Sequence, residues 1–419
     1  MKYKKFTSQD LRRANRTEIL RKIYFGEPIS RLEISQQINI SPATVTNIVS
    51  NLLSKNILVE HGFKRSEGGR PSTLLKVNPK YGYFIGIEVG ETFIHVELFD
   101  ILFKKMDKDF QPLSNEHISP KQIVSMMVSG IEKVIQKANL SQKDIIGIGI
   151  GFPGLVDPVK GVSVFTPNWG WHNVSITNLL YDRLSIPMYL DNGSKALAVA
   201  EMLFGAGKGV SNITVLLVGT GVGSGIITDR KLFRGSTNNA GEFGHTTLNI
   251  NGPKCRCGSQ GCLEVYIGAN GIINRYKEIA KDASPVETGN QITYIQKILD
   301  EYEQGNPTAV HTVQETIHYL GVGIANLINV FNPELVLLGG WSGLKLGRKF
   351  LPQIVDTVSN YALQQSLAKT TIKLCQLAEG AVAKGAATLV LEHFFETAGE
   401  SETLMIGGKV PNKRKKIIT

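Results

Sequence analysis

Three of the four cysteines in this chain fall within eight residues, in Cys255-Arg-Cys257-Gly-Ser-Gln-Gly-Cys262, ten residues after His245. Three thiolates and one imidazole complete a tetrahedral set with no open position, the donor chemistry of a structural rather than a catalytic zinc ion. Reduced core cysteines beside an unrelated histidine are the alternative, and the tight spacing argues against it. Cys375 stands apart and reads as a small buried hydrophobe. Carboxylates flank the cluster: Glu242 in Gly241-Glu-Phe-Gly-His245 and Glu264 two residues after Cys262. A bound zinc would staple the loop bearing Glu242 to the loop bearing Glu264 and hold both for a ligand. Carboxylates, a neutral imidazole and asparagine amides pair well with hydroxyls, which a sugar offers in place of charge.

A second set of groups lies near the N-terminus. Ser30 with Glu33 forms a capping box that opens a short helix through Ile38, presenting Leu32, Ile34 and Ile38. After a turn at Asn39-Ile40, Ser41 caps a helix with Pro42 at its first position and an apolar stripe of Val45, Ile48, Val49 and Leu52. Ala43, Thr46, Asn47 and Ser50 fall on the opposite face, with Thr44 and Asn51 flanking it. Asparagine can pair with adenine, and threonine and alanine methyls can touch the thymine methyl, so this face suits a DNA major groove. Arg31 and Ser41 complete the expected contacts of these helices. Two strands follow, Ile57 to His61 and Ser72 to Val77, as a wing whose tip carries Lys64, Arg65 and Arg70. That tip can enter a minor groove or meet phosphate alone.

These groups need elements to hold them, and 419 residues suffice for two or three cores. Net charge is +10, unevenly spread: +9 in residues 1–80, +5 in residues 409–419 and −4 between. An acidic body with a basic head separates DNA binding from another task. Removing residues 1–80 should then abolish DNA binding and leave zinc and ligand bound. The run Lys413-Arg-Lys-Lys416 fits a solvated tail better than a DNA arm. No apolar run is long enough for a bilayer, and the polar start lacks a signal's apolar core, so a cytoplasmic protein with no membrane partner is expected.

Ahead of the head's short helix, Asn15 to Tyr24 reads as a basic helix burying Ile19, Leu20 and Ile23. From Tyr83 onward apolar β-branched strands alternate with glycine turns: Phe84 to Val89, Thr92 to Phe99 and Ile145 to Gly151, then Asn212 to Val218 and Gly225 to Thr228. Two similar α/β halves with a cleft between them are implied. A long helix spans Thr308 to Asn329, and small residues in Ala378-Glu-Gly380-Ala-Val-Ala-Lys-Gly-Ala-Ala387 permit close helix packing.

The glycine motifs and the cysteine cluster resemble the ROK family of repressors and sugar kinases. The helix-turn-helix, Leu11-Arg-Arg-Ala-Asn15 and Gly69-Arg-Pro71 resemble its xylose- and N-acetylglucosamine-type repressors. The resemblance covers residues 12–395. It implies a winged helix-turn-helix joined to a two-lobed, actin-like and ribonuclease-H-like body. The expected domains are the head at 1–80, lobes at 81–193 and 194–377, a closing helix at 378–400 and a basic tail at 401–419. The family's zinc ligands fall on the same four residues, and its sugar contacts on Gly154, Asn168, Asn192, Glu242, His245 and Glu264.

The family's kinases place their proton-accepting aspartate directly after an asparagine, in a segment resembling Asp191-Asn192-Gly193. Here the position is Gly193, which accepts no proton, so no catalytic residue is assigned. The first phosphate turn reads Glu88-Val-Gly90-Glu91-Thr92, with a negative side chain where phosphate would approach. Gly219-Thr-Gly221-Val-Gly223 and Leu337-Leu-Gly339-Gly340 still match phosphate and adenosine motifs, but glycine turns serve folds as well as ATP. The expectation is a sugar-responsive repressor without ATP or kinase activity. It would bind a palindromic operator as a homodimer or dimer of dimers and take a sugar or sugar phosphate in the cleft. A ROK kinase, a bifunctional kinase-regulator and control by a protein partner are the other readings.

Overall fold

The computed structural model describes residues 7–64, 71–113, 118–282, 290–377 and 379–397. Arg65 and Arg70 of the wing tip, Ala378 and the basic tail lie outside them.

The head comprises α1 (Ser8–Gly26), β1 (Ile29–Ser30), α2 (Arg31–Ile38), α3 (Pro42–Ser54), β2 (Leu58–Lys64) and β3 (Ser72–Val77). It is a winged helix: β1, β3 and β2 form one antiparallel sheet beside three helices. The caps act as the sequence implies. Ser30 and Glu33 close a capping box, Asn39 ends α2 in the left-handed region, and Ser41 caps α3. Helix α1 is longer than its apolar stripe suggests, because Thr7 and Asp10 form another capping box about two turns earlier. Leu32 is 55% exposed, while Ile34 and Ile38 of its helix pack on the core.

Lobe 1 follows with β4 (Tyr83–Val89), β5 (Phe93–Asp100), β6 (Lys105–Pro112), α4 (Pro120–Lys137), β7 (Ile145–Phe152), β8 (Leu155–Asp157), β9 (Val162–Thr166), β10 (Trp171–Ser175), α5 (Ile176–Tyr181) and β11 (Met188–Asn192). Lobe 2 contains α6 (Gly193–Phe204), β12 (Ile213–Val218), β13 (Val222–Thr228), β14 (Lys231–Leu232), α7 (Glu264–Ile267), α8 (Ala269–Ala280), α9 (Gln291–Glu303), α10 (Pro307–Phe331), β15 (Leu335–Gly339), α11 (Trp341–Tyr361), α12 (Gln364–Leu367) and β16 (Thr371–Leu374), and α13 (Ala381–Thr397) closes the chain.

The two main sheets share one strand order, β6-β5-β4-β7-β11 and β14-β13-β12-β15-β16. In each, the first three strands run antiparallel and the last two run parallel to the first. The closing helices are exchanged: α6 leaves lobe 1 and packs on β12 and β13, while α13 leaves lobe 2 and packs on β4 and β7. Glycine makes this approach possible. A Cβ on Gly149 would lie 1.8 Å from the Ala386 carbonyl oxygen, and one on Gly385 would lie 1.9 Å from that of Ala196. The lobes therefore meet through two helices in near backbone contact, at the base of the cleft.

Helix α13 also reaches the head. Ile19, Leu20, Ile23 and Tyr24 share one apolar core with Phe84, Phe99, Phe103, Leu391, Phe394 and Phe395. Tyr24 donates to the Ile101 carbonyl at 2.7 Å and Thr17 to that of Phe395 at 3.0 Å, while Arg21 pairs with Glu392 and lies over the Phe395 ring. A boundary at residue 80 thus runs between chain segments, not between cores. No described helix is long and apolar enough to cross a membrane.

Candidate functional site

A cavity of about 160 Å³ lies between the lobes, lined by both β-hairpin turns, the start of α6 and the loop that ends at Glu264. Gly154, Asn192, Glu242, His245 and Glu264 all line it, so five of the six expected sugar contacts converge. Gly154 adopts φ +76°, and a Cβ there would lie 2.2 Å from the Phe165 carbonyl oxygen, so only glycine fits. Asn192 caps α6, accepting from Ser194 N–H at 2.9 Å, and donates to the Gly154 carbonyl at 2.9 Å. Its polar atoms are engaged in holding the cleft floor. Asn168 stands behind the lining: with its amide nitrogen toward lobe 1 it donates to Glu91 Oε2 at 3.2 Å.

Burial pushes the Glu242 carboxyl up to about 7, the buried Lys195 ammonium opposes that rise, and Glu264 adds to it. Glu88, in the strand beneath, is pushed up to about 8, first by burial and then by Glu97 and Glu379. Burial also works against ionised Glu264, but Arg256 and the Val222 N–H outweigh it and hold the carboxyl below its usual range. Neighbouring carboxyls thus differ in proton affinity: Glu264 is held ionised, while Glu242 and Glu88 are raised toward neutral pH.

His245, Cys255, Cys257 and Cys262 offer ligand atoms that all lie within 4.8 Å of one another, a cluster able to bind a metal. His245 Nδ1 is 3.6 Å from Cys255 Sγ, and the Cys257 and Cys262 sulfurs are 3.8 Å apart. The loop closes through Lys254 pairing with Gln260 and Thr247 with Cys262. Gly261 permits that closure, with φ +66° and the Asn249 carbonyl oxygen 1.6 Å from where a Cβ would stand. One end of the cluster is therefore His245 at the cleft, and the other leads to Glu264 through Leu263.

A model of the ROK family matches residues 84–393. The chain belongs to the ROK family. The xylose repressor of Caldicellulosiruptor bescii is 32% identical over 388 residues, spanning 91% of this chain and 96% of its own length. The DNA-binding transcriptional dual regulator NagC of Escherichia coli is 27% identical over 354 residues, 84% of this chain and 86% of its own. A solved ROK family transcriptional regulator, described as a homolog of the E. coli MLC protein, superposes with a TM-score of 0.77 at 25% identity, covering 92% of this chain and 97% of its own. A ROK glucokinase from Streptomyces griseus, in complex with glucose and AMPPNP, gives 0.63 at 27% identity, covering 74% and 99%.

The ROK body carries no carboxylate at the α6 N-terminus. Gly193 begins that helix, and the preceding Asp191 is turned out of the lining, accepting from Arg234 Nη1 at 2.5 Å and Asn238 Nδ2 at 3.1 Å. Arg256, which sequence reasoning passed over as a spacer between cysteines, enters the cleft and pairs with both Glu91 and Glu264. Nothing around it marked this role, since Lys254 on the other side of Cys255 is equally basic. Trp341 was likewise missed; its indole nitrogen would lie 3.2 Å from a Cβ on Gly219.

In the head of this ROK chain, Ala43, Thr46, Asn47, Ser50 and Asn51 are exposed on α3, as expected. Ser41 and Thr44 are engaged with each other, Oγ to Oγ1 at 2.8 Å, in the helix cap. Arg31 faces Glu60 at 3.8 Å and Lys64 pairs with Glu33, so both cations are partly neutralised within the head.

Proposed function

We propose that this chain is a sugar-responsive transcriptional repressor whose cleft senses a sugar instead of phosphorylating it. The observation that carries the reading is the joining, through one apolar core, of an exposed recognition helix to a ROK body with Gly193 at the kinase base position. Relatives that match 91% and 84% of this chain are named xylose repressor and NagC.

The carboxylates Glu242 and Glu264, with His245, are the groups that would bind sugar hydroxyls. Asn192 and Gly154 shape the floor beneath them, and Asn168 supports the rim through Glu91. Zinc fits the cysteine cluster. For Zn–S near 2.3 Å and Zn–N near 2.0 Å, a tetrahedron has S···S edges of about 3.8 Å and N···S edges of about 3.6 Å. The spacings of 3.8 and 3.6 Å match both. His245, Cys255, Cys257 and Cys262 would hold the ion, which would fix the loops bearing Glu242 and Glu264.

Against a kinase stand Gly193, the buried Asp191 held away from the lining by Arg234, and the side chains of Glu91 and Arg256 at the phosphate turns. On DNA, Ala43, Thr46, Asn47, Ser50 and Asn51 are the base-facing groups, Ser41 and Thr44 set the helix end, and Arg31, Lys64, Arg65 and Arg70 approach phosphate or minor groove. A dimer would place two such heads on a palindromic operator. A ligand that favours one lobe angle would change the heads' spacing through α13.

The test is titration of the full chain onto DNA from its own upstream region, by fluorescence anisotropy, at fixed salt. Asn47→Ala should weaken binding about tenfold or more without changing the melting temperature. D-Xylose or another sugar should lower the wild-type affinity. Tight sugar binding with unchanged operator affinity would end the effector reading, and sugar-dependent ATP turnover would restore the kinase one.

A further inference from the structure

Arg256 sits between two cysteines of the metal cluster, yet its guanidinium spans the cleft. Nη1 donates to Glu91 Oε2 at 2.7 Å, and Nε donates to Glu264 Oε1 at 2.8 Å. Glu91 belongs to the β4–β5 turn of lobe 1, whereas Arg256 and Glu264 belong to lobe 2. Because the two main sheets share one strand order, the β4–β5 and β12–β13 turns occupy equivalent places and face each other. Arg256 covers the second as it reaches for the first. A Cβ on Gly221 would lie 2.4 Å from its Nη2, 2.9 Å from Glu264 Oε2 and 3.5 Å from Glu91 Oε1. The side chains of Arg256, Glu91 and Glu264 are 25%, 12% and 8% exposed, so the bridge is shielded from salt more than a surface pair would be.

We propose that Arg256 is a latch that ties the two hairpin turns together at one lobe angle, and that a polyhydroxyl ligand releases it by taking Glu264. The first half stands on the bridge alone; the second rests on the sugar reading of the cleft. Glu264 Oε2 accepts the Val222 N–H at 2.9 Å and a longer contact from Arg256 Nη2 at 3.4 Å, so Oε1 carries the shorter Arg256 bond and is where a ligand hydroxyl would compete. A hydroxyl donating to Oε1 competes with the guanidinium for the same lone pairs. Without that second anchor the long arginine side chain regains its rotamers, and its hold on Glu91 weakens. The coupling follows from Arg256 being shared by two carboxylates of different lobes.

Hydrogen exchange on the full-length, zinc-loaded protein tests both halves, read on peptides covering residues 89–93 and 219–223. Glu91→Gln removes the cross-lobe arm and leaves the zinc loop untouched. Exchange in both turns should quicken by roughly tenfold, with zinc content unchanged. Arg256→Gln should do the same; if it sheds zinc, Glu91→Gln decides. D-Xylose is the first probe and N-acetylglucosamine the second. Either should quicken exchange in the wild-type turns and add little in Glu91→Gln. Unchanged exchange in Glu91→Gln overturns the latch, even where sugars bind. Sugars that bind and slow exchange overturn the release step. A sugar that binds the wild type without quickening exchange, with Glu91→Gln still loosened, overturns the ligand half while the clamp and the sugar reading stand.

Discussion

The sulfurs of Cys257 and Cys262 stand 3.8 Å apart, too far for a covalent bond and too close for two thiolates without a cation between them. Metal-free, burial raises the Cys255 thiol to about 12 and raises that of Cys262 as well, so these two would be protonated and held only by weak contacts. We expect Cys257→Ser to lose one equivalent of zinc, measured by metal analysis, and to melt roughly 5 °C or more below wild type. The four candidate ligands were legible in the sequence because donor type and spacing define a metal site. Arg256 was not, because ligand spacing says nothing about where the side chain between two ligands points. Glu91 was read as hostile to phosphate; the structure places it in the cleft lining, but its partner lies 165 residues away and no local pattern names it.

At the scale of elements, caps and periodicity carried most of the head and the long helix α10, whose Asn306 cap and Pro307 frame an apolar stripe. Strand β6 was missed: Lys105-Met-Asp-Lys-Asp-Phe-Gln-Pro112 is an edge strand whose Asp107 and Asp109 face α4 and pair with Lys137 and Lys133, so it lacks the apolar alternation of a core strand. The small sheet β8–β10 was missed too, its strands being only three to five residues long. Exchange of α6 and α13 between the lobes was only hinted at by their small residues, since a glycine announces a close approach without naming the neighbour. Gly385→Ala should show its worth. The new methyl would meet the Ala196 carbonyl oxygen at 1.9 Å, so the helices must part. We expect a loss of about 1–3 kcal/mol in chemical denaturation, with weaker ligand coupling to the head.

Across the whole molecule, the positive head and negative body were legible from charge, but their common core was not. The aromatic residues of α13 are plain in the sequence; that Tyr24 and Phe25 pack on Phe395 is not. Removal of residues 1–80 would therefore uncover Leu391, Phe394 and Phe395 along with Phe84 and Phe103, and the clean separation implied by charge gives way to an exposed apolar face. A gentler cut is Phe395→Ala. It should cost about 3–5 kcal/mol of head docking, seen as faster proteolysis near residues 78–82 and a smaller effect of ligand on operator affinity. Zinc content should stay at wild type, because the metal loop lies in the other lobe.

The shared core also sets an order of events during synthesis. The DNA-binding head leaves the ribosome first, but Thr17 finds its partner in Phe395, 378 residues later. Until α13 emerges, Ile19, Leu20 and Tyr24 lack one wall of their core, so a nascent or prematurely stopped chain holds its recognition helix on an unfinished support. Translation to the last helix is thus a condition for a firmly seated head.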